Sequence, residues 1–353
     1  ADTMTITHKS YPARDITRTA HNAWTIADID FIPRQNHPTG MSVTVNTSGA
    51  LTTEYAVTAI RNVSGEESLT ALNNTSKTIS GATAANPVVV TATSHGFLNG
   101  DEVEINSVVG MIQINGRRFI VSNKATNTFE LLGIDGTDYT AYGSGGTANQ
   151  TFVRITNNAV TEDNTIAWTG EANAAKYAIY RKVDGVFGLC GEATGLSFED
   201  DNITPDTSLG PPIFSDPISL PDTTPGTTSY FEQRQVFGGS VDEPDTAYYS
   251  RVADRTNLSA SNPVQSDDAF SATFAQRQVN EIRHFVSLND LLVFTSGSEW
   301  RVNSGPDTAF ELASVRQKPQ SFWGCNHIRP EVIGNVAFFI EESGAIIRSL
   351  GYS

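Results

Sequence analysis

The sequence predicts an all-β, multidomain protein, and three observations carry that prediction. Apolar and polar residues alternate with a period of two in Thr3-Met4-Thr5-Ile6-Thr7, Ser42-Val43-Thr44-Val45-Asn46, Glu102-Val103-Glu104-Ile105 and Lys176-Tyr177-Ala178-Ile179-Tyr180. Such alternation buries one face of a strand and wets the other. Gly, Asn and Asp punctuate these short runs at turn positions, and Ala and Leu do not recur at helical spacing. The best helical candidate, residues 267–281, is short and rich in Phe and Thr, which weakens it.

Length supports several domains. With 353 residues, 39% of them hydrophobic and 18% charged, the chain exceeds an ordinary single domain and is neither a disordered tail nor a coiled coil. Its net charge is −16, with a pI near 4.7, and no segment reverses the sign. That disfavours a nucleic-acid clamp, which usually carries a basic stripe, and attachment to anionic lipid. No apolar run approaches the roughly 20 residues that cross a bilayer, and the first residues carry no signal-peptide pattern. The chain opens on Ala1 rather than Met and closes just after the strand-like run 345–350, which reads as a trimmed piece of a longer protein.

Residues 1–37 form the first strand-rich segment, expected to belong to a platform or partial propeller, and 33–40 is a linker with two prolines. Residues 38–83 supply the first part of an immunoglobulin-like sandwich. Within it, Tyr55-Ala56-Val57-Thr58-Ala59-Ile60 followed by Gly65-Glu66-Glu67-Ser68 reads as a terminal hairpin.

Residues 84–149 read as a small β-barrel inserted into that sandwich. Its strands are expected at 88–90, 102–105, 118–121 and 128–132, with tight turns at Asn99-Gly100-Asp101 and Asn115-Gly116. Closure would remove the exposed edges of so short a unit. Residues 150–220 complete the sandwich around Trp168, Tyr177-Ala178-Ile179-Tyr180 and Ser197-Phe198-Glu199-Asp200. A connector follows, stiffened by Pro205, Pro211, Pro212, Pro217, Pro221 and Pro225.

Residues 221–353 repeat a looser unit. Residues 285–295 and 332–340 are each a strand, an Asn-containing turn and a strand, followed by a polar turn and a third strand at 300–302 or 346–348. Arg234-Gln235-Val236-Phe237-Gly238-Gly239-Ser240 starts an earlier copy. A spacing of about 45–50 residues is that of propeller blades.

Two resemblances follow from specific runs. The run from Asn86-Pro87-Val88-Val89-Val90 through Ser94-His95-Gly96-Phe97, Asn99-Gly100-Asp101, Gly110-Met111, Asn115-Gly116-Arg117 and Phe119-Ile120-Val121 to Gly146 resembles the small β-barrel named after the first catalytic cysteine half-domain of ubiquitin-activating enzymes. The adenylation and catalytic-cysteine apparatus of those enzymes has no counterpart here, so no ubiquitin chemistry is implied.

The flanks resemble podovirus tail nozzle proteins (tail tubular or hub proteins). The matching runs are Tyr11-Pro12-Ala13-Arg14-Asp15-Ile16-Thr17-Arg18 with Trp24-Thr25-Ile26, then Phe231-Glu232-Gln233-Arg234-Gln235-Val236-Phe237-Gly238-Gly239, Tyr249-Ser250-Arg251 and Arg277-Gln278-Val279-Asn280. The most distinctive is Asp290-Leu291-Leu292-Val293-Phe294-Thr295-Ser296-Gly297-Ser298-Glu299-Trp300. This resemblance implies a virion protein: a subunit of a six-fold homo-oligomeric ring on a phage tail, contacting an adaptor, fibres and the host surface. DNA would pass through without specific binding, which an acidic wall favours by repelling phosphate.

No residues present themselves as catalytic, cofactor-binding or metal-binding. His8, His21, His37, His95, His284 and His327 are scattered without paired spacing, and His95 is expected to fix a turn. Cys190 and Cys325 lie too far apart in sequence for a zinc motif and read as buried free thiols. Gly297-Ser298 and Gly143-Ser144-Gly145 do not fit a nucleophile elbow. Glu199-Asp200-Asp201-Asn202 and Asp135-Gly136-Thr137-Asp138 could offer oxygen to calcium but match no calcium loop, so solvated turn carboxylates are expected. Trp24, Trp168, Trp300 and Trp323 are expected in cores, Trp323 least firmly. A structural, non-enzymatic role follows. The alternatives are a phage adhesin that binds carbohydrate and, less favoured, a tail-associated hydrolase.

Overall fold

The computed structural model describes residues 2–45, 49–157, 164–305 and 308–351; Asn46, the last residue of the expected strand 42–46, lies outside them. The described residues form many strands, one 3-10 turn at Ile112–Ile114 and no α-helix, and an isolated parallel bridge joins Met41 to Asn73. The helical candidate at 267–281 is instead the strand Phe270–Thr273 followed by irregular chain. Phe270 pairs in register with Tyr249 and stacks on its ring at 4.6 Å, so aromatic packing across strands overrides the weak helical pattern.

The chain divides into two compact units, residues 1–32 with 215–260 and 264–353, and residues 33–214 with 261–263.

In the second unit, two sheets face each other. One runs in the order Val153–Asn157, Leu51–Arg61, Ala174–Val183, Val186–Ala193, and the other Ser197–Asp200, Asn164–Thr169, Thr39–Val45. Each sheet thus takes strands from both sides of the insert. The period of two decides what each residue meets. Tyr55, Val57, Ala59, Tyr177 and Ile179 join Met41, Ile166 and Trp168 in the core between the sheets. Ala56, Ala178 and Tyr180 point the other way, onto Phe152.

The insert is a seven-stranded antiparallel sheet in the order Lys77–Thr78, Ser144–Gln150, Glu102–Val109, Arg117–Ser122, Thr128–Leu131, Val89–Thr91, Gly81–Ala82. The expected barrel is not closed by strand pairing. Its two end strands are two residues long and joined directly through Ile79 and Ser80. Those linking residues bond one to each side, Ile79 N to Gly146 O and Ser80 N to Thr91 O, both at 2.9 Å. The seam is crossed by the chain itself rather than by a ladder. Gly110 sits at φ +93°, where an added Cβ would lie 2.3 Å from Ala141 O, so only glycine fits this turn.

The other unit consists of four antiparallel meanders. The first is Asp2–His8, Tyr11–Ala20 and Ala23–Asp28. The second is Thr227–Phe231, Arg234–Gly238, Thr246–Tyr249 and Phe270–Thr273. The third is Ile282–Ser287, Leu291–Thr295, Glu299–Asn303 and Arg316–Ser321, and the fourth Glu331–Ile333, Val336–Ile340 and Ile347–Gly351. One apolar cluster joins each successive pair. Ala13, Ile29 and Phe31 of the N-terminal segment meet Phe237, Ile218 and Leu258. Val236, Ala247 and Tyr249 meet Phe285, Leu291, Val293 and Trp300. Val286, Leu292 and Phe294 meet Cys325, Ala337 and Phe339.

The fully buried runs Arg234–Gly238 and Leu291–Thr295 are therefore central strands whose alternate residues serve two different interfaces. Val236 faces the third meander and Phe237 the first; Val293 faces the second and Phe294 the fourth. Such doubly buried strands lose the polar alternation of a one-sided sheet.

Candidate interaction surfaces

The polar groups singled out in the sequence are held by structural bonds. His95 is buried, its Nδ1 accepting from Phe97 N at 3.0 Å and its Nε2 lying 3.2 Å from Thr128 O, with the ring against Phe97 and Phe129. It fixes a turn in the insert, as the sequence indicates. Asp200 is buried and accepts from Tyr55 Oη at 2.7 Å, Arg181 Nη1 at 2.6 Å and Ile203 N at 3.0 Å, which leaves it no role as a solvated turn carboxylate. Desolvation, then the Asp200 carboxylate, hold the Tyr55 phenol above its ordinary pKa.

Asp135 is a turn carboxylate. It accepts from Thr137 N, Thr137 Oγ1 and Asn86 Nδ2, and the Thr137 bonds hold its pKa below the ordinary value. Ser298 is buried and bonded to Thr295, Gln276 and Trp300 Nε1. Cys190 and Cys325 are free and buried, and burial pushes both thiols up to about 12. Among the described residues no three His, Cys, Asp or Glu side chains are grouped to hold a metal ion.

The tryptophans divide. Trp168 and Trp300 are core residues, but Trp24 is 60% exposed and Trp323 54%. Beside Trp323, Phe322 is also exposed, and the Arg348 guanidinium lies 3.7 Å over the Trp323 ring while paired with Glu341. The strand-like run around Trp24 signals its strand correctly, but alternation cannot say whether the apolar face is covered.

Trp24 belongs to a larger surface. In the first meander, Met4, Ile16 and Ile26 form one cross-strand row, and Arg18 pairs with Trp24 in a neighbouring row. Met4, Trp24 and Ile26 are all exposed. Arg14–Asp28 and Arg18–Asp2 ion pairs flank them on the same face. The opposite face carries Thr3, Thr5, Asp15 and Thr17, tied to the second meander's loop where Arg255 Nη1 reaches Asp15 Oδ1 at 3.0 Å.

The fourth meander has a second such surface. Ala337 and Phe339 face inward, so Val336, Phe338 and Ile340 face outward with their register partners Ile333, Glu331 and Ile347. Ile333 and Ile347 are about seventy per cent exposed. The first and fourth meanders each carry exposed apolar residues on one face, whereas the central strands Arg234–Gly238 and Leu291–Thr295 of the two between them are buried on both.

A third feature ties the insert to the sandwich. Arg118 of the insert donates from Nη1 to Thr70 Oγ1 and from Nη2 to Thr70 O, both at 2.7 Å, and from Nε to Glu104 at 3.1 Å. In return Arg154 of the sandwich binds Asp101 of the insert and, through Nε, Glu54 Oε1 at 2.7 Å. Sequence alternation carries no signal for these bonds, because their partners are brought together only by the insertion.

Residues 85–151 match the family model of the ubiquitin-activating enzyme E1 FCCH domain, the module whose resemblance the sequence shows. No curated protein matches the chain. Among solved structures, the phage phi92 endosialidase aligns with 94% of this chain at 11% identity and a TM-score of 0.20; the chain covers 57% of that structure's length.

Proposed function

We propose that the chain is a structural virion protein: a subunit of a ring-shaped tail nozzle or hub of a short-tailed phage, through which DNA leaves and on which fibres or host-contact proteins dock. The observation that carries this reading is the serial packing of four meanders through successive apolar clusters. The runs that resemble nozzle proteins are the framework of that series. Phe231–Gly239 and Asp290–Trp300 supply its central strands, with Arg234 fully buried among backbone carbonyls. In this reading residues 1–37 and 221–353 form a propeller-like platform. The sandwich and its FCCH-like insert, within 38–220, then present a docking surface to adaptor, fibres or host. A net charge of −16 suits a lumen past which DNA slides. Of the groups singled out in the sequence, Ser298 and Asp200 are held in buried hydrogen bonds, as a structural role requires.

Cryo-electron microscopy of virions carrying the protein tests this. A ring on the tail axis with a DNA-wide lumen is the expected result. Density confined to peripheral spikes would overturn it.

One observation favours a second reading, a carbohydrate-binding adhesin. Adjacent exposed aromatics at Phe322 and Trp323, backed by Arg348, offer a flat apolar surface beside charge. Binding to a glycan array that is lost in Trp323→Ala would establish it.

A further inference from the structure

We propose that Glu299 is the positioning residue of the turn that carries Phe322 and Trp323, and that it makes the place of this aromatic pair depend on pH. With the Glu299 carboxyl protonated the turn stays closed over it, and ionisation loosens the turn. The inference deepens the second reading, the adhesin, and rests on that reading only for what the aromatic pair binds.

The strand period sets the geometry. Trp300 and Val302 fill the junction with the second meander, so Glu299 points to the opposite side, where its register partner Phe294 meets the fourth meander. There it is fully buried. Across its other edge it pairs with Ser321, the last residue of strand Arg316–Ser321, and the chain then runs through Phe322, Trp323 and Gly324 to Cys325. Two groups of that turn reach back to one carboxylate oxygen: Ser321 Oγ donates to Oε2 at 2.5 Å and Trp323 N at 3.4 Å. Gly324 stands at φ +70°, where an added Cβ would meet Ser296 O at 2.2 Å, so the turn lies close on its neighbour. The backbone that carries two exposed rings is thus fastened to one buried carboxyl.

The surroundings of Glu299 do not satisfy a full charge. Oε1 has no hydrogen-bond partner, and the cations that face it are engaged elsewhere. Arg348 lies over the Trp323 ring and pairs with Glu341. Arg283 binds Glu342 and Cys325 O. Arg301, two residues along the strand, binds Asp290, and Lys318, in register with Arg301, is exposed. His284, the register partner of Phe294, lies 3.1 Å through Nε2 from Asn326 O. Cys325 is a buried thiol that desolvation pushes up to about 12, so it stays neutral.

A buried carboxyl with an unbonded oxygen and no cation of its own favours the neutral form. Desolvation accordingly raises the pKa of Glu299 above the ordinary 4.5, against the bonds from Ser321 and the turn, which lower it. Opening the turn returns the carboxyl to water, where it titrates near its ordinary value. The closed turn therefore binds the proton more tightly than the open one. Closure is favoured at low pH and loses that advantage as pH rises from 4.5 through the raised value. Trp323 then leaves Arg348, and the flat surface that it forms with Phe322 is lost.

Fluorine NMR of the full chain labelled with fluorotryptophan tests this. The four tryptophans give four resonances, and Trp323→Phe identifies one of them. Between pH 4 and pH 8 the Trp323 signal should move along a titration, while that of Trp168, in the sandwich core, stays still. Glu299→Gln keeps the shape of the side chain and removes its charge, so its Trp323 signal should hold the low-pH position throughout. His284, which burial keeps below its ordinary 6.5, titrates in the same range. A transition that survives unchanged in Glu299→Gln belongs to His284 and would overturn the proposal.

Hydrogen exchange over residues 321–325 is the second readout. The ratio of wild-type to Glu299→Gln exchange should rise roughly threefold or more from pH 4 to pH 8, and a constant ratio counts against the latch. Should Glu299→Gln fail to fold, Ser321→Ala carries the test. It removes a bond that favours the ionised carboxyl, so the midpoint of the Trp323 transition should move to higher pH, and an unmoved midpoint sinks the proposal. Neither measurement uses a ligand. A titrating Trp323 with no hit on a glycan array would remove only the adhesin reading, and a glycan hit with a still Trp323 would remove only the role of Glu299.

Discussion

Arg154 of the sandwich holds Asp101 of the insert in a two-pronged bond, Nη2 to Oδ1 at 2.5 Å and Nη1 to Oδ2 at 3.2 Å. Asp101 is almost fully buried and also accepts from Leu98 N and Gln150 Nε2, both at 2.8 Å. Its carboxylate therefore closes the Asn99-Gly100 turn and fastens the insert at once. Arg154→Met would leave a buried carboxylate without its cation, which costs about 3–5 kcal/mol. Urea denaturation should show that loss. Asp101→Asn should be milder when added to Arg154→Met than alone, because the two residues act as one pair.

Arg234 is the largest fully buried side chain, and burial lowers its pKa to about 10. Its Nη1 donates to Ser250 O at 2.7 Å and Asp268 O at 2.6 Å, and its Nη2 to Ser266 O at 2.8 Å. A lysine has one nitrogen and cannot reproduce that fork. Arg234→Lys should destabilise the platform unit by about 3 kcal/mol, the penalty for carbonyls left unpaired. Thermal unfolding followed by circular dichroism would register it as a lower midpoint.

Glu299 introduces a pH dependence. It is fully buried, Oε2 accepts from Ser321 Oγ at 2.5 Å, and Oε1 has no hydrogen-bond partner. Desolvation raises its pKa above the ordinary 4.5. The folded state then holds this proton more tightly than the unfolded state, so the contribution of Glu299 to stability falls as pH rises from 4.5 through the raised value. Glu299→Gln removes that slope. The stability of the variant relative to wild type should increase from pH 4 to pH 8 in denaturant titrations, and a constant difference would refute the assignment.

Thiol reactivity gives a simpler check. With Cys190 and Cys325 buried and both pushed up to about 12, neither forms thiolate at pH 8. Ellman's reagent should find no thiol in the folded protein and two after denaturation.

Gly239 stands at φ +71°, and a Cβ there would meet Ile282 O at 2.1 Å, where the third meander begins. Gly239→Ala combines backbone strain with that overlap and should cost at least about 1–3 kcal/mol. The matching change at Gly185, where the φ is +85° but nothing lies within 4 Å, should cost only the strain. Comparing the two by urea denaturation separates the close approach from the conformation.

Much of the fold was legible because period-two alternation is a local signal. Lys176–Tyr180 and Glu102–Ile105 lie in strands, and the Asn-Gly turns at 99–100 and 115–116 place their glycines at positive φ. Trp168 in a two-sheet core was legible for the same reason. What escaped depends on distant partners. Phe270–Thr273 becomes a strand only because Tyr249 and its neighbours offer an edge. The seam of the insert is crossed by Ile79 and Ser80 between two end strands that pair with opposite edges of the sheet, and Trp24 lies on the exposed side of its sheet. Asp200 looked like a solvated turn and is instead the buried acceptor of Tyr55 and Arg181, because residues 145 and 19 positions away fold onto it. Arg234 carried no sign of burial, since its partners are carbonyls, which every residue has.

The strand Leu291–Thr295 also restricts how the gene can change. Leu291 and Val293 fill one interface while Leu292 and Phe294 fill the next. Deleting or inserting one codon within this strand would exchange the two sets and spoil both interfaces together. Substitutions that keep size and polarity remain open to selection, but changes of length should be confined to the turns, such as Asn289-Asp290 before it and Ser296-Gly297 after it.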